Sequence, residues 1–431
     1  WKWNSRKDIV EITEKDTVGG ETRKRETVFD KRHLPLKETL NGKEIARYAW
    51  TANGKKASII RGRLRTDFAY SIEGKEELTQ TYAGSKPFRI VRTKELTPSG
   101  AIITVQDGSN RAQTLRYDSE NRLLSKQSGN LAPESFAWDP DGSIARLETR
   151  LGGIVDLQRN KKTGEFKQFR NGELVSRMVK SPAGKILEYT DENGSLVSNE
   201  YDSTGFLIRE RRSAGSVSYE RDKTGTAVSR NVFGADGELI ESVSISRSHD
   251  LRSAVVLEGG IYRKEYRLNG WGEVTGFADG ENNVRSFDRD ALGRVEVETD
   301  PYGNETRYEY DDFGEISKIV YCDGSFEAYE RNSAGLVVRE TDAAGVSAEY
   351  DYDAGGRRIS EYARGGVRLS RTFDDSGRTQ TLNRGDDNAL VFNFEYSSDG
   401  KTIASKDASG NSMISIFDGF GSVFGSDSFS V

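Results

Sequence analysis

Residues 289–381 contain one pattern four times at a fixed interval. Arg289, Tyr310, Arg331, Tyr352 and Phe373 each lie 21 residues after the previous one. Each copy begins with an aromatic residue or arginine at this register position, reaches a glycine four residues later, and continues as a run of alternating apolar and polar residues. A second turn rich in Gly or Asp and a second alternating run complete the copy. Self-similarity of this length is typical of a repeat architecture, in which one structural unit is stacked many times.

The same register extends over nearly the whole chain of 431 residues. Most steps are 20 to 23 residues, and two steps of 26 residues, Tyr70 to Leu96 and Arg221 to Arg247, are interpreted as longer hairpins. We predict a single array over 1–431, with degenerate repeats at 1–49, a repeat body at 50–421 and a Gly/Ser-rich, truncated tail at 422–431. The clearer register positions are Trp50, Tyr70, Leu96, Tyr117, Trp138, Asn160, Lys180, Tyr201, Arg221, Arg247, Leu268, Arg289, Tyr310, Arg331, Tyr352, Phe373, Tyr396 and Phe417.

The periodicity inside each unit is two, which is the period of a β-strand. After Gly293, Val295 and Val297 are expected on one face and Glu296 and Glu298 on the other. Clusters such as DPYG, DAAG and NG supply turns, because glycine tolerates positive φ and Asp or Asn can bond its own backbone. Each unit is therefore predicted to be a β-hairpin. The glycines expected at structural turns are Gly142, Gly205, Gly293, Gly314, Gly335, Gly356, Gly377 and Gly400.

The predicted fold is all-β, with about 20 consecutive antiparallel hairpins in one continuous curled or spiralling sheet, shell-like or tube-like. Hydrophobic residues make up 34% of the chain, charged residues 31% and aromatic residues 10%, a supply that fits a sheet with one wetted face. At roughly 4.8 Å per strand, some forty strands have a contour on the order of 190 Å. Accumulated twist must curl such a strip. We expect a segment of wall or a narrow tube.

Charge and hydropathy argue against two classes of partner. The net charge is −6 and no basic block stands out from its acidic neighbours, so nucleic acid is not expected as a partner. The densest basic run, KRETVFDKRH near Lys24, is interpreted as a solvated strand face. No apolar run approaches the roughly 18 residues of a membrane span, and no signal peptide is recognisable. Because the chain opens on Trp1 rather than Met, we expect it to be an excised or processed piece of a longer protein.

The residue types that carry catalysis are sparse. The histidines are His33 and His249 and the single cysteine is Cys322, so neither a nucleophilic site nor a zinc site is expected. Two acidic clusters, Asp139 with Asp141 and Asp386-Asp387-Asn388, were weighed as cation sites, but neither has the ligand spacing of a known calcium loop. We predict no catalytic residue, no metal and no cofactor, and a non-enzymatic protein. Turn carboxylates are interpreted as structural, among them Asp139, Asp141, Asp191, Asp202 and Asp342.

Aromatic residues recur on one face of the predicted strands. Tyr308, Tyr310, Tyr350 and Tyr352 form same-face pairs, and the 21-residue step is expected to stack them into ladders. The ladders would stabilise the sheet through cross-strand aromatic pairs, each by very roughly 0.2–1 kcal/mol, or form a platform for sugars or an unfolded chain. We favour the structural interpretation. The aromatic residues assigned to the repeat framework are Trp50, Tyr70, Tyr117, Trp138, Tyr201, Tyr310, Tyr352, Phe373, Tyr396 and Phe417.

The units YDSENRLLSK, YDSTGFLIRE, YDDFGEISKI and YDAGGRRISE, which start at Tyr117, Tyr201, Tyr310 and Tyr352, resemble the YD repeat of the Rhs family. That family includes bacterial Rhs proteins, shell-forming components of insecticidal Tc toxins, and teneurins. The resemblance implies a spiralling β-sheet wall around a hollow shell, which holds a toxin in the bacterial members and is an extracellular adhesion scaffold in teneurins. Two features depart from the family. Its DPxGL self-cleaving motif is absent, and the register position is not aromatic at Asn160, Lys180, Arg221, Arg247 and Leu268.

The resemblance implies a structural wall that encloses or scaffolds a polypeptide cargo in a secreted or cell-surface bacterial assembly. Flanking parts of a longer chain are the other expected partners. The alternative is an extended adhesin or fibre that binds glycans or another cell through its outer face. A hydrolase would require a cleft that joins His33 or His249 to a carboxylate and a serine.

Overall fold

The computed structural model describes residues 2–15, 22–82, 85–248, 250–362 and 366–429. His249 therefore lies outside the described residues. The described part of the chain contains forty β-strands and no helix. In chain order, β1 to β40 are Lys2–Trp3, Ile9–Lys15, Thr22–Phe29, Pro35–Leu40, Lys43–Trp50, Lys56–Arg61, Leu64–Tyr70, Glu76–Thr81, Phe88–Thr97, Gly100–Asp107, Ala112–Asp118, Leu123–Ser128, Glu134–Trp138, Ile144–Glu148, Ile154–Asn160, Glu165–Arg170, Glu173–Lys180, Ile186–Thr190, Leu196–Tyr201, Leu207–Arg212, Gly215–Arg221, Ala227–Gly234, Leu239–Arg247, Ser253–Glu258, Tyr262–Leu268, Val274–Ala278, Val284–Arg289, Val295–Thr299, Glu305–Tyr310, Ile316–Val320, Phe326–Arg331, Val337–Thr341, Ser347–Tyr352, Arg358–Tyr362, Arg368–Phe373, Thr379–Arg384, Ala389–Tyr396, Thr402–Asp407, Ser412–Phe417 and Val423–Phe429.

Each strand pairs antiparallel with the next strand along the chain, so all forty belong to one sheet. The prediction of an all-β fold built from consecutive hairpins is confirmed. The hairpins interpreted as longer contain the longest strands, β9 with ten residues and β23 with nine. The sheet also continues into the segment separated above as a tail, where β40 pairs with β39.

Two kinds of turn alternate along the sheet and define its two edges. A register turn follows an odd-numbered strand, and a return turn follows an even-numbered strand. In the register turn after β29, the Asp311 carboxylate oxygen Oδ1 accepts hydrogen bonds from the backbone N–H groups of Phe313 and Glu315. Gly314 completes this turn at φ 90°, in the left-handed region that glycine occupies without strain. The same side-chain bonds recur at Asp202, Asp290, Asp353 and Asp374.

The sheet curls until its register turns contact return turns that lie twenty-three strands earlier. The β25–β26 turn contacts the β2–β3 edge, the β29–β30 turn contacts the β6–β7 turn, and the β31–β32 turn contacts the β8–β9 connection. We call this line of contacts the seam, and each set of twenty-three strands a winding. At roughly 4.8 Å per strand, one winding has a circumference of about 110 Å and a backbone diameter on the order of 35 Å. The geometry is that of a narrow, unclosed tube.

The wall exposes far more surface than a compact protein of its mass. The accessible surface is 26564 Å², whereas a compact monomer of 48.0 kDa exposes about 16,500 Å². Few apolar side chains are buried, among them Leu40, Ala46, Ile103 and Ala348. A single curled sheet that is wetted on both faces accounts for both observations.

Candidate functional site

The residue at the register position ties each hairpin to the one before it. The hydroxyl of Tyr310, the last residue of β29, donates to the carbonyl of Val295, the first residue of β28, at 2.6 Å. The ladder between these strands covers only three residue pairs, so the end of β29 and the start of β28 lie beyond it. The tyrosine hydroxyl satisfies a carbonyl that the ladder leaves unpaired there. Trp50, Trp138, Tyr201, Tyr352 and Tyr396 donate in the same way to the first residue of the preceding even-numbered strand.

Arginine at the register position has the same role as tyrosine. Arg289 donates to the carbonyl of Val274 at 2.9 Å, and Arg331 to that of Ile316 at 3.3 Å. Arg221 bonds the equivalent carbonyl of Leu207. The sequence pattern predicts a degenerate repeat at Arg221, which has no aromatic ring, but its guanidinium makes the same bond. Where this bond forms, the shared feature of the register residues is a long side chain with a donor at its tip.

In one unit, counting four residues back from the turn glycine gives the wrong register residue. Asn160 lies four residues before a turn glycine, yet the donor in this unit is Arg159, which bonds the carbonyl of Ile144 at 2.8 Å. The turn in this unit, between β15 and β16, spans Lys161–Gly164 with φ 68° at Gly164. Counting four residues back from Gly164 therefore gives Asn160, which is the residue after the donor Arg159.

The remaining framework residues lie at equivalent positions. Tyr70, Phe373 and Phe417 are the last residues of odd-numbered strands, and Tyr117 is the last but one of β11. The eight turn glycines all lie in register turns with φ between 73° and 90°: Gly142, Gly205, Gly293, Gly314, Gly335, Gly356, Gly377 and Gly400.

An arginine after the turn glycine links two successive repeats. The Arg294 guanidinium bonds the Asp290 carboxylate of its own turn and lies 4.1 Å from the ring centroid of Tyr310 in the next hairpin. The same arrangement places Arg357 over Phe373 and Arg378 over Tyr396. Cation–π contacts of this kind hold the register aromatic rings in place.

The tyrosines expected to stack into ladders bond carboxylates and carbonyls instead. Tyr308 donates to Glu298 at 3.1 Å and Tyr350 to Glu340 at 2.8 Å, while Tyr310 and Tyr352 bond backbone carbonyls. The prediction of stacked aromatic ladders is therefore wrong at these four residues, because their hydroxyls bond glutamates or carbonyls of the preceding strand. Burial, with the hydrogen bond to Glu298, raises the pKa of Tyr308 to about 12.

The first seam contact joins β3 to the register turn after β25. The Arg23 guanidinium makes two hydrogen bonds to the Glu273 carboxylate, at 2.7 and 3.1 Å, and lies 3.9 Å from the Trp271 ring centroid. The bond from Arg23 lowers the pKa of Glu273. The basic run near Lys24 had been interpreted as a solvated strand face. That run begins one residue after Arg23, whose own partners lie one winding away.

The second seam contact combines an acidic residue with aromatic rings. The Arg63 backbone N–H donates to the Asp312 carboxylate at 2.8 Å. The rings of Tyr82 and Phe313 meet edge to face with their centroids 4.7 Å apart. Ser333, which is fully buried, accepts the Tyr82 backbone N–H at 2.9 Å. The seam is thus packed and hydrogen-bonded across the windings.

The third part of the seam brings two backbones together, where the register turn after β39 contacts the return turn after β14, twenty-five strands earlier. The Gly153 N–H donates to the carbonyl of Gly419 at 3.1 Å, and Thr149 donates to the same carbonyl. A Cβ atom on Gly153 would lie 2.5 Å from that carbonyl oxygen, so only glycine allows this approach. Beside it, the Arg170 guanidinium lies 4.9 Å from the ring centroid of Phe420.

The other candidate residues are dispersed. His33 Nδ1 lies 2.5 Å from Asp8 Oδ1 at an exposed turn, and Cys322 is exposed. Asp141 is bonded by Lys161, which lowers the pKa of the carboxylate, and by Ser143. Within the described ranges, no three or more His, Cys, Asp or Glu side chains come together as a metal-ligand group. The same ranges contain no helix with the length and apolar character needed to span a membrane.

Comparison with known proteins finds a match to a repeat model in one segment of this wall. Residues 331–368 match the model of the RHS repeat. This segment is similar to the RHS repeat. The matched segment contains β32, β33 and β34 with the register turns after β31 and β33, and the same unit recurs along the described sheet.

Solved structures share the fold of this RHS-repeat chain. A crystal structure of TcdB2-TccC3-TEV is 12% identical, with a TM-score of 0.58 over 92% of this chain. A crystal structure of TcdB2-TccC3 is 11% identical, with a TM-score of 0.55 over 94% of this chain. The chain spans only 29% and 30% of those two chains. The comparison with curated proteins found no match.

Proposed function

We propose that this chain is a non-enzymatic wall segment of an RHS-repeat shell, of the kind found in Tc toxins, that encloses a polypeptide. The seam is the observation that carries the proposal. It joins the windings by an ion pair, ring contacts and direct backbone bonds at residues about 250 positions apart. A sheet whose windings adhere edge to edge separates an inside from an outside.

The large accessible surface supports an interior that is not filled by the wall's own side chains. A solid β-barrel of this mass would bury its inward side chains, whereas this chain has few fully buried residues and an accessible surface well above that of a compact monomer. The fold shared with TcdB2-TccC3 supports a toxin-type cargo and a secreted bacterial assembly.

The alternative of a glycan-binding adhesin has less support from the aromatic face. A sugar platform needs exposed ring faces and free hydroxyls. The ring of Tyr310 is covered by Arg294, and that of Tyr350 has Arg358 at 5.0 Å, while both hydroxyls already have acceptors. These side chains are committed to holding the sheet.

The test is protease protection combined with cryo-electron microscopy of the protein expressed from its complete reading frame. We expect a polypeptide that resists protease in the intact shell, is digested after unfolding in urea, and gives density inside the wall. Density showing an interior filled by wall side chains, or no protected polypeptide, would contradict the proposal. A glycan array run on the same material would detect the adhesin instead.

A further inference from the structure

Residues 159–185 form a basic block in an otherwise acidic chain. They contain eight lysines and arginines and two glutamates, although the whole chain has a net charge of −6. The expectation that no basic block stands out was wrong, because the positive residues are spread over three strands and their turns. In the folded sheet, neighbouring register turns on the edge of the first winding opposite the seam bring together Arg159, Lys161, Lys162, Lys180 and Lys185.

A groove of about 500 Å³ lies among these turns, between the β15–β16 and β17–β18 connections. Phe166 and Pro182 are the apolar part of its lining, which we call the floor, and the charged part includes Asp141, already paired with Lys161. The Arg159 guanidinium lies 5.6 Å from the Phe166 ring centroid. The Lys180 ammonium lies 4.5 Å from the Phe166 ring centroid. Within the described ranges, neither Lys180 nor the exposed Lys162 has a carboxylate within ion-pair distance. The groove therefore presents unpaired positive charge beside an apolar surface.

The contacts of the seam indicate which side chains could bind such a surface. Three register turns carry an aromatic residue immediately before the turn glycine: Trp271, Phe313 and Phe420. Each of these rings packs against a residue of the opposite winding, and an acidic residue of the same turn lies near an arginine there. The pairs are Trp271 and Glu273 with Arg23, Asp312 and Phe313 with Arg63 and Tyr82, and Phe420 and Asp418 with Arg170.

We infer that the groove lined by Lys162, Phe166 and Lys180 is a docking site for a partner polypeptide that presents an acidic residue and an aromatic ring in one tight turn. The ring enters the apolar floor, and the carboxylate pairs with the lysines. A bare anion would use the lysines but leave the floor of Phe166 and Pro182 uncovered. The inference needs only this edge of the sheet and does not depend on an enclosed cargo.

The chain itself offers a probe with this chemistry. The return turn Asp300-Pro-Tyr302-Gly303 has the aromatic residue in the same place, and Tyr302 is 89% exposed. A cyclised peptide of residues 297–307 serves as the ligand, and the same peptide with Asp300→Asn and Tyr302→Ala as its control. Binding to the whole 431-residue chain is measured by fluorescence anisotropy.

A matched pair of variants localises the binding. Lys162-Thr163-Gly164 in the groove has a counterpart in Lys223-Thr224-Gly225, the same tripeptide in another register turn on that edge. We expect Lys162→Glu to weaken peptide binding by about tenfold or more, because it reverses a charge that faces the carboxylate, and Lys223→Glu to leave it within about twofold. Circular dichroism checks that both variants keep their β-structure.

Several outcomes would overturn the inference. They are equal binding of the two peptides, equal effects of the two lysine substitutions, and displacement of the peptide by inorganic phosphate at millimolar concentration. Short heparin fragments that bind more tightly than the peptide and ignore Phe166→Ala would identify a polyanion site instead. Self-association of the chain that both Lys162→Glu and Tyr302→Ala abolish would support the inference and identify a second copy as the donor of the turn.

Discussion

At the scale of single residues, the repeat depends on a donor that reaches across to the preceding hairpin. Tyrosine, tryptophan and arginine all fill this role, because each has a polar hydrogen at the end of a long, partly apolar side chain. The acceptor is always the first carbonyl of an even-numbered strand, as at Val295, Val274 and Ile144. Chemically different residues at one register position thus build the same contact.

The hydroxyl bond can be removed without changing the ring. Tyr352→Phe deletes the 2.8 Å bond to the carbonyl of Val337 and leaves that half-buried acceptor unpaired. We expect a loss of about 1 kcal/mol in the free energy of unfolding, measured by urea denaturation. Tyr302→Phe is the control, because that side chain is 89% exposed. Equal changes in the free energy of unfolding of the two variants would show that the Tyr352 hydroxyl does not stabilise the repeat.

The equivalence of arginine and tyrosine is testable at Arg289. Arg289→Tyr retains a donor that can reach the carbonyl of Val274, whereas Arg289→Leu retains only the apolar stem. We expect the leucine variant to be less stable than the tyrosine variant by about 1 kcal/mol. Thermal unfolding of the two variants side by side measures the difference. A leucine variant as stable as the tyrosine variant would show that packing alone defines the position.

At the scale of the hairpin, much could be predicted from sequence because the signals are local. The Asp-x-x-Gly turns and the alternation around Val295 and Val297 act within ten residues of one another, so they indicated strands, turns and period. The tyrosine ladders failed for a physical reason: the hydroxyls of Tyr308 and Tyr350 bond glutamates of the neighbouring strand. The pattern within one strand does not say which side chain lies opposite.

The turn carboxylates predict how the hairpins respond to acid. The side-chain bond from Asn304 lowers the pKa of Asp300 from its ordinary value of 3.8. The folded pKa lies below the unfolded pKa, so this carboxylate stabilises the fold above about pH 4, and the contribution is lost as the pH falls through the folded value. We expect the melting temperature to fall below pH 4, and Asp300→Asn, which keeps the Oδ1 acceptor, to reduce that dependence. An unchanged pH dependence in this variant would contradict the assignment.

Gly303 and Gly425 both have free space for a Cβ atom but differ in backbone conformation. Substituting each of them therefore tests the effect of a positive φ alone. A Cβ atom at Gly303 or at Gly425 would have no atom within 4 Å, but only Gly303 has a positive φ, of 87°. We expect Gly303→Ala to destabilise the protein by about 1 kcal/mol, because the left-handed conformation is costly for other residues, and Gly425→Ala to have little effect. Urea denaturation of the two variants measures the difference in their free energies of unfolding. Equal stability of the two variants would mean that this turn can change its conformation freely.

At the scale of the whole molecule, the contacts of the seam could not be predicted from the sequence. Arg23 and Glu273, or Tyr82 and Ser333, meet because one winding contains twenty-three strands. That number depends on twist and bulges summed over the whole sheet, and no local motif encodes it. The curl and the tube-like shape were predictable from the repeat, whereas the partners across the seam were not. The same holds for the basic groove, which draws residues from three strands.

The windings contact each other closely at Gly153, so a larger side chain there is expected to disturb the seam. Gly153 has no positive φ, so a larger residue there is disfavoured only by the backbone of Gly419, whose carbonyl oxygen would lie 2.5 Å from the new Cβ. Gly153→Val should therefore part the windings locally while leaving each hairpin intact. We expect a larger radius of gyration by small-angle X-ray scattering and faster proteolysis near residues 149–153 and 419, with an unchanged β-sheet signal in circular dichroism. Gly425→Val, in open space, is the control. If Gly153→Val keeps the wild-type radius and protease resistance, the windings are not held together at this point, and the wall must be closed by other contacts.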